Sequence, residues 1–545
     1  LRNITMHRFP HLFEPYKINS VSLKNRITMA PLFTASAHKD GTVSSLTLKH
    51  YKEVAEGGVG MIVVANAIVD ESGSVSKYSI RVDDDRFLPG LSRLADTIKK
   101  EDVAAVLQIN HGGHFAQGKK TFSPSAVSLS DLNLGGLYKT ALKSLDFQQQ
   151  LAVLSEAIQQ HPKRPKKMTE DDIKYIVSAY AQAALRAKKA GFDMVEIHGA
   201  TGYLPVQFLS PRINNRKDQY GGNLENRMRF SLELTQAVMD SVGSDFPVGY
   251  RFLAEEWIEE GFSLNEAKIF AQRLSALHIA YLSVTGGTYE SFSVPEAKEK
   301  SHGPGYMVYL AGNIKEVVDV PVITTGRITA PQLAEEILRE KKADLIGLAR
   351  PLFVDPKWPK KAYEGKDEDI VPCKNCGVCF QLVVSDRPAL CAQWGKSKLI
   401  NRKNMIKEIH NPRKKILIAM DGSENATMAA AYAADMLANR TDVTITLFHI
   451  KTDESIKDES GIKEMMDIAR SILIKAGIPE KLINIQIRQK KAGMGNDILN
   501  EIVEAGYGTV VVGRRGVSRA NQLLFGSVSN KIVQNTKDCT VWVVE

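Results

Sequence analysis

Long apolar runs are missing from this sequence of 545 residues. The longest, residues 60–69, falls well short of the roughly 20 residues an α-helix needs to cross a bilayer, so no membrane span is expected. The sequence does not open with basic residues followed by an apolar stretch, the pattern of an export signal, and a cytoplasmic protein is expected. There is no arginine-rich arm and no interleaving of aromatic with basic residues, so nucleic acid is not an expected partner. The net charge of +9, from 71 basic and 62 acidic side chains, is a mild excess spread along the chain, and it reads as a solvated surface. Internal repeats and low-complexity tracts are also lacking. What remains is the composition of an ordinary globular protein, 43% apolar and 24% charged, in a chain long enough for two or three domains.

Cysteine is scarce, yet four of the five are gathered in one run: Cys373, Cys376, Cys379 and Cys391, spaced C-x2-C-x2-C-x11-C. In a reducing compartment such a run reads as metal binding rather than as disulfides. Three thiolates on one tight loop and a fourth from a nearby turn can close around a 4Fe-4S cluster. Zinc also accepts four thiolates, but its common layout is two separated C-x2-C knuckles, and the second knuckle is absent here. The fifth, Cys539, sits in an apolar, strand-like stretch and reads as core.

Before the cysteines, β-rich apolar runs alternate with helical patterns. After a short hairpin over 13–28, eight strands are expected at 27–31, 61–65, 104–109, 194–198, 248–252, 281–284, 322–325 and 345–348. Helical periodicity separates them, as at 171–190, 224–242, 264–277 and 330–340. Eight βα units predict an α/β fold of the TIM (β/α)8 barrel type, with the active site at the carboxyl ends of the strands. The third strand is followed by a long excursion, 117–167, with helical periodicity over 140–160, which predicts a lid or binding loop. After Cys391, residues 395–415 read as a linker. A second alternation follows, with strands at 416–420, 444–449, 484–488, 510–513 and 541–544, predicting a five-stranded parallel Rossmann-like sheet. The expected division is a barrel over 1–365, the cysteine segment and linker over 366–412, and the second α/β domain over 413–545.

Residues 196–230 read EIHGATGYLPVQFLSPRINNRKDQYGGNLENRMRF. This stretch resembles the Old Yellow Enzyme family of flavin oxidoreductases, and the cysteine run resembles its iron–sulfur branch, which holds 2,4-dienoyl-CoA reductase, 2-enoate reductase and trimethylamine dehydrogenase. The resemblance implies FMN in the barrel mouth. A phosphate there suits the loops after the last two strands, which carry Gly326, Arg327, Ala349 and Arg350. The resemblance assigns the isoalloxazine contacts to Gln108, Arg251, the backbone of Ala30, Pro31, Leu32 and Phe33, and that of Ala65. It makes Tyr203 the proton donor to the α-carbon of an activated alkene, with His198 and Thr201 on the substrate carbonyl. Many relatives carry His or Asn where Thr201 stands, so a different anchoring of substrate is expected. Tyr289, after the sixth strand, is expected as a further active-site hydroxyl. His111 and His114 follow the third strand; with no third ligand in view, flavin or substrate contact is preferred over a metal.

The last part of the chain carries Asp421 after its first strand and a G-x2-G-x9-G-S motif at Gly513, Gly516, Gly526 and Ser527. This resembles the ATP-binding subgroup of the universal stress proteins and implies an adenine nucleotide, ATP or AMP, held on glycine backbone and a helix amino terminus. No G-x-G-x-x-G follows a strand after Cys391, unlike the iron–sulfur relatives, so electrons are expected to pass to or from a separate electron-transfer protein, or to enter from NAD(P)H directly. The expected activity is reduction of the C=C bond of a small unsaturated acid or acyl-CoA. The alternatives are an amine dehydrogenase handing electrons to an electron-transfer flavoprotein, and a nucleotide-sensing regulatory subunit with an idle barrel. Both resembled families commonly assemble, and a homo-oligomer is expected.

Overall fold

The computed structural model describes residues 8–118, 120–126, 165–410, 414–452, 459–514, 526–536 and 539–545. The helical pattern over 140–160 and Gly516 lie outside the described residues. Two compact units divide after Leu399, and the cysteine run belongs to the first.

The first unit is a closed barrel of eight parallel strands: β1 (Ile27–Met29), β2 (Met61–Ile68), β3 (Ala104–Asn110), β4 (Met194–Gly199), β5 (Val248–Glu255), β6 (Tyr281–Gly286), β7 (Val322–Thr324) and β8 (Leu345–Leu348). Each pairs with its sequence neighbours, and β8 closes on β1. Side chains two apart on a strand share a face, and here that rule grades the interior. Toward the amino ends the inward positions are apolar: Met61, Val63, Ala104, Val106, Met194 and Leu345 form one buried cluster, stoppered by Ile18 and Leu23 of the antiparallel hairpin Tyr16–Ile18/Val21–Leu23. Two or four residues further on, the same faces carry Gln108, Glu196, His198, Arg251 and Ser283. The alternate set, including Leu107, Val195 and Ile197, packs outward under the helices.

Two of the barrel helices start where side chains satisfy free backbone N–H groups. Glu170–Lys189 is opened by a capping box between Thr169 and Asp172, and Leu264–Ala276 by one between Ser263 and Glu266. The two ends of the long excursion after β3 are held together where Phe122–Ser123 pairs in parallel with Lys166–Lys167.

The second unit is a five-stranded parallel sheet of β9 (Lys415–Ala419), β10 (Thr444–Lys451), β11 (Ile483–Gln489), β12 (Thr509–Gly513) and β13 (Thr540–Val544), in the order β11-β10-β9-β12-β13. Strand order reverses between β9 and β12, and the crevice at their carboxyl ends is where such sheets bind ligands. One expectation fails. Residues 395–415 are not an irregular linker, because Lys396–His410 is an α-helix. Its residue types are good helix formers, but its apolar side chains define no clean stripe, so periodicity gave no signal.

Gly249 on β5 faces the Tyr281 ring, and a Cβ there would lie 2.2 Å from its Cζ. Gly249→Ala should therefore overpack the barrel interior and cost about 1–3 kcal/mol, read as a lower denaturation midpoint for the barrel.

Candidate functional site

At the carboxyl ends of the strands lies a cavity of about 350 Å³, within the range of small-molecule sites. It is lined by Ala30 after β1, Arg251 on β5, Gly326 and Arg327 after β7, and Ala349 and Arg350 after β8, all expected from the sequence. Gly326 has φ of +108°, and a Cβ on it would come within 2.9 Å of the Met307 backbone nitrogen, so only glycine fits. The Arg327 Nε is buried with no hydrogen-bond partner, while its guanidinium lies 5.7 Å from the Tyr306 ring centre. A buried, unpartnered guanidinium nitrogen calls for an anionic or hydrogen-bond-accepting ligand, which fits the phosphate of FMN. Arg350 hydrogen-bonds Asn375. Pro31, Leu32 and Phe33 continue from Ala30 at the mouth, half-buried. Ala65 is buried, and its N–H donates to the Tyr51 hydroxyl at 2.9 Å.

Below the cavity, Gln108 and Arg251 belong to a buried polar group that also holds Glu196. The Gln108 amide donates to Glu196 Oε1 at 2.7 Å, and the Tyr281 hydroxyl donates to Oε2 at 3.1 Å. Arg251 donates to Ser283 Oγ at 2.7 Å. Burial raises the Glu196 carboxyl to about 6, against the opposing pull of Arg251 and the two hydrogen bonds.

Around the rim from β4, Tyr203 is buried, and its hydroxyl lies 2.9 Å from that of Tyr289, from the loop after β6. His198 stands edge-on to the Tyr203 ring, with centres 4.8 Å apart. Burial, then the charge of Arg251, lowers the His198 imidazole to about 3, so it is neutral at ordinary pH, and its Nδ1 is buried without a partner. Thr201 has φ of +63°. That left-handed conformation is a genuine outlier for a β-branched residue, whereas Asn, Asp and His adopt it more readily. The residue types that the resemblance places there thus suit the backbone better, and this chain carries strain of about 1–3 kcal/mol instead. His111 accepts from the Gly113 N–H at Nδ1 (3.0 Å) and contacts Ser72 Oγ through Nε2 (3.1 Å). His114 is buried with both ring nitrogens unpartnered. Burial lowers His111 to about 4 and His114 to about 3.

Cys373, Cys376, Cys379 and Cys391 line one small enclosed cavity, and all four are free thiols. Burial raises the Cys379 and Cys391 thiols, with neighbouring thiols adding to the effect. Among the described residues no three His, Cys, Asp or Glu stand close enough to hold a single metal ion. Four thiols lining one cavity are the donor set that a 4Fe-4S cluster uses, and four thiolates also suit zinc. Arg350, Cys373, Lys374 and Asn375 border both this cavity and the larger one. In the second unit, Asp421 follows β9 and accepts from the Ser423 N–H and hydroxyl at 3.0 and 2.6 Å. Gly513 ends β12, where a Cβ would lie 2.8 Å from the Asn425 backbone. Gly526 opens the helix Ser527–Asn535, and the Ser529 hydroxyl donates back to the Gly513 carbonyl at 2.7 Å.

Residues 11–369 match the NADH:flavin oxidoreductase / NADH oxidase family. The chain belongs to that family. It is 36% identical over 79% of its length to an NADH oxidase of Thermoanaerobacter brockii. It is 38% identical over 70% of its length to a metal reductase of Desulforamulus reducens. It spans 62% and 53% of those two relatives. A solved 2-naphthoyl-CoA reductase complex shares the fold, with a TM-score of 0.62 at 24% identity, covering 94% of this chain and 75% of that one. Residues 412–545 match the universal stress protein family. Among the described residues no helix is long and apolar enough to cross a membrane.

Several residues in and around this candidate site escaped the sequence reading, among them Glu196, Asn66, Ser283 and Tyr306. Glu196 alone left a signal, a carboxylate between apolar residues inside a strand.

The Glu196 shift sets a pH dependence. Its folded value of about 6 lies above the ordinary 4.5, so the folded chain binds the proton more tightly. As pH rises through that window the unfolded chain ionises first, and stability falls by about 2 kcal/mol. Denaturation of Glu196→Gln and the parent on both sides of the window should show the variant gaining that amount, relative to the parent, with rising pH.

Proposed function

We propose that this flavin oxidoreductase holds FMN in the barrel mouth and a 4Fe-4S cluster on its four clustered cysteines, and reduces the C=C bond of an unsaturated acid or acyl-CoA. The observation that carries the reading is a buried phenol, Tyr203, beside a neutral imidazole, His198, at the end of β4 and near Arg251 of the cavity. FMN, when bound, supplies a hydride to the β-carbon of the alkene, and the cluster supplies one-electron transfer. The chain does the rest. Arg327 and Arg350 bind the phosphate. Gln108 and Arg251, backed by Glu196 and Ser283, hold the polar edge of the ring. His198 and Thr201 bind the substrate carbonyl and draw electron density from the alkene. Tyr203 donates the proton that completes the new C–H bond at the α-carbon.

The nicotinamide reductant named for the Thermoanaerobacter relative is the simplest electron source. A separate electron-transfer protein at the cysteine loop is the other route. The wall shared by the two cavities suits electron transfer in either direction, so the second reading is the same cofactors run in reverse as an amine dehydrogenase passing electrons outward. In the universal stress domain, Asp421, Gly513, Gly526 and Ser527 are proposed to hold an adenine nucleotide.

Anaerobic holoenzyme should contain flavin, iron and sulfide, and Cys391→Ser should lose the iron and sulfide while keeping the flavin. Tyr203→Phe should keep the flavin and slow its reoxidation by crotonyl-CoA about 10²–10⁴-fold. Unchanged reoxidation removes the proton-donor role, and flavin reduction by trimethylamine in place of NAD(P)H selects the reverse reading.

A further inference from the structure

A buried phenol that gives away its proton leaves a buried anion, and a phenolate in apolar surroundings is unstable unless donors hold it and a proton returns quickly. Tyr203 is only 5% exposed, so solvent does not serve it directly. Two polar side chains do. The Tyr289 hydroxyl is 2.9 Å from its oxygen, and the Asn66 side chain, on β2, stands near enough to the same phenol to pull its pKa down against the effect of burial. Asn66 is buried at 3% exposure, with its amide oxygen unpartnered, an expensive residue to place there unless its amide N–H is used. Phe115, after β3, sets its ring edge-on to both phenols at 6.4 and 5.4 Å, so apolar surface borders the pair on that side. Tyr289 is the less buried residue of the two.

We propose that Asn66 and Tyr289 are positioning residues that act through Tyr203, holding its oxygen from two sides and returning a proton to it after each turnover. The inference rests on the ene-reduction reading. When Tyr203 protonates the α-carbon, its O–H bond breaks, the electron pair stays on the phenolic oxygen, and the new C–H bond forms. The Tyr289 O–H proton then crosses the 2.9 Å contact, and Tyr289 recovers a proton from solvent. Asn66 donates throughout and stabilises the oxygen while it is charged. The loop that carries Tyr289 is anchored independently of the phenols. The Tyr289 N–H donates to the Thr201 carbonyl at 3.3 Å, and Thr201 and Thr288 form a bridge. Tyr289→Phe thus removes a hydroxyl and leaves the loop fixed.

The test is a double-mutant cycle on anaerobically reduced, flavin-loaded holoenzyme, following reoxidation by crotonyl-CoA. Tyr289→Phe and Asn66→Ala should each slow reoxidation about tenfold when Tyr203 is present and have no further effect in the Tyr203→Phe background. Equal slowing in both backgrounds overturns the inference, because the residues would then act on structure or substrate rather than through Tyr203. A second readout needs no turnover. In holoenzyme labelled with ¹³Cζ-tyrosine, the Tyr203 resonance should move in both Tyr289→Phe and Asn66→Ala, and a resonance that stays put in either overturns the inference. Failure of crotonyl-CoA to reoxidise any form sinks the ene-reduction reading instead, and the resonances still decide whether Asn66 and Tyr289 hold Tyr203.

Discussion

A carboxylate in the middle of a barrel is costly, and the side chains around Glu196 are arranged to meet that cost. Removing one ion from water costs several kcal/mol even after relaxation, and Glu196 offsets it with two hydrogen bonds and the nearby charge of Arg251. Each partner is thereby fixed in turn. Gln108 has one amide hydrogen committed downward, Tyr281 fills the space left by Gly249, and Arg251 is anchored on Ser283. The floor of the cavity is therefore held by these bonds in the structure without a ligand. Preorganisation of this kind saves reorganisation during the reaction.

The barrel grades from oil to water along its own axis. Its amino end is closed by a hairpin and apolar side chains, and its carboxyl end carries nearly every ionisable group discussed above. The grading puts neutral imidazoles and a protonated phenol where they are useful. Burial keeps His198, His111 and His114 uncharged and raises Tyr203 well above the ordinary range. Proton transfer from such a phenol depends on local donors more than on bulk pH, because the apolar wall keeps water from sharing the charge.

Much of this was legible in the chain itself. The eight strands fall close to their expected places because strands of a parallel barrel are buried on both faces and read as dense apolar runs between amphipathic helices. The cysteine spacing and the arginines after β7 and β8 stood out because the residue types are rare in such positions. Asn66 and Ser283 did not, since one polar residue within an apolar strand carries no mark of which neighbour it will meet. The helix Lys396–His410 escaped because its few apolar residues are outnumbered by charged and polar ones, which leaves periodicity little to register. Thr201 was recognisable as unusual, but the reason is a backbone angle, and no residue pattern reports that.

Leu32 touches the apolar cluster around Cys391 and Trp394, and the Thr34 carbonyl accepts from the Ala389 N–H. Together with the four residues bordering both cavities, this makes the barrel's first loop and the thiol loop a single mechanical seam. Substitutions along it act on the walls of both cavities at once. The barrel's first loop and the thiol loop are therefore expected to change together rather than separately.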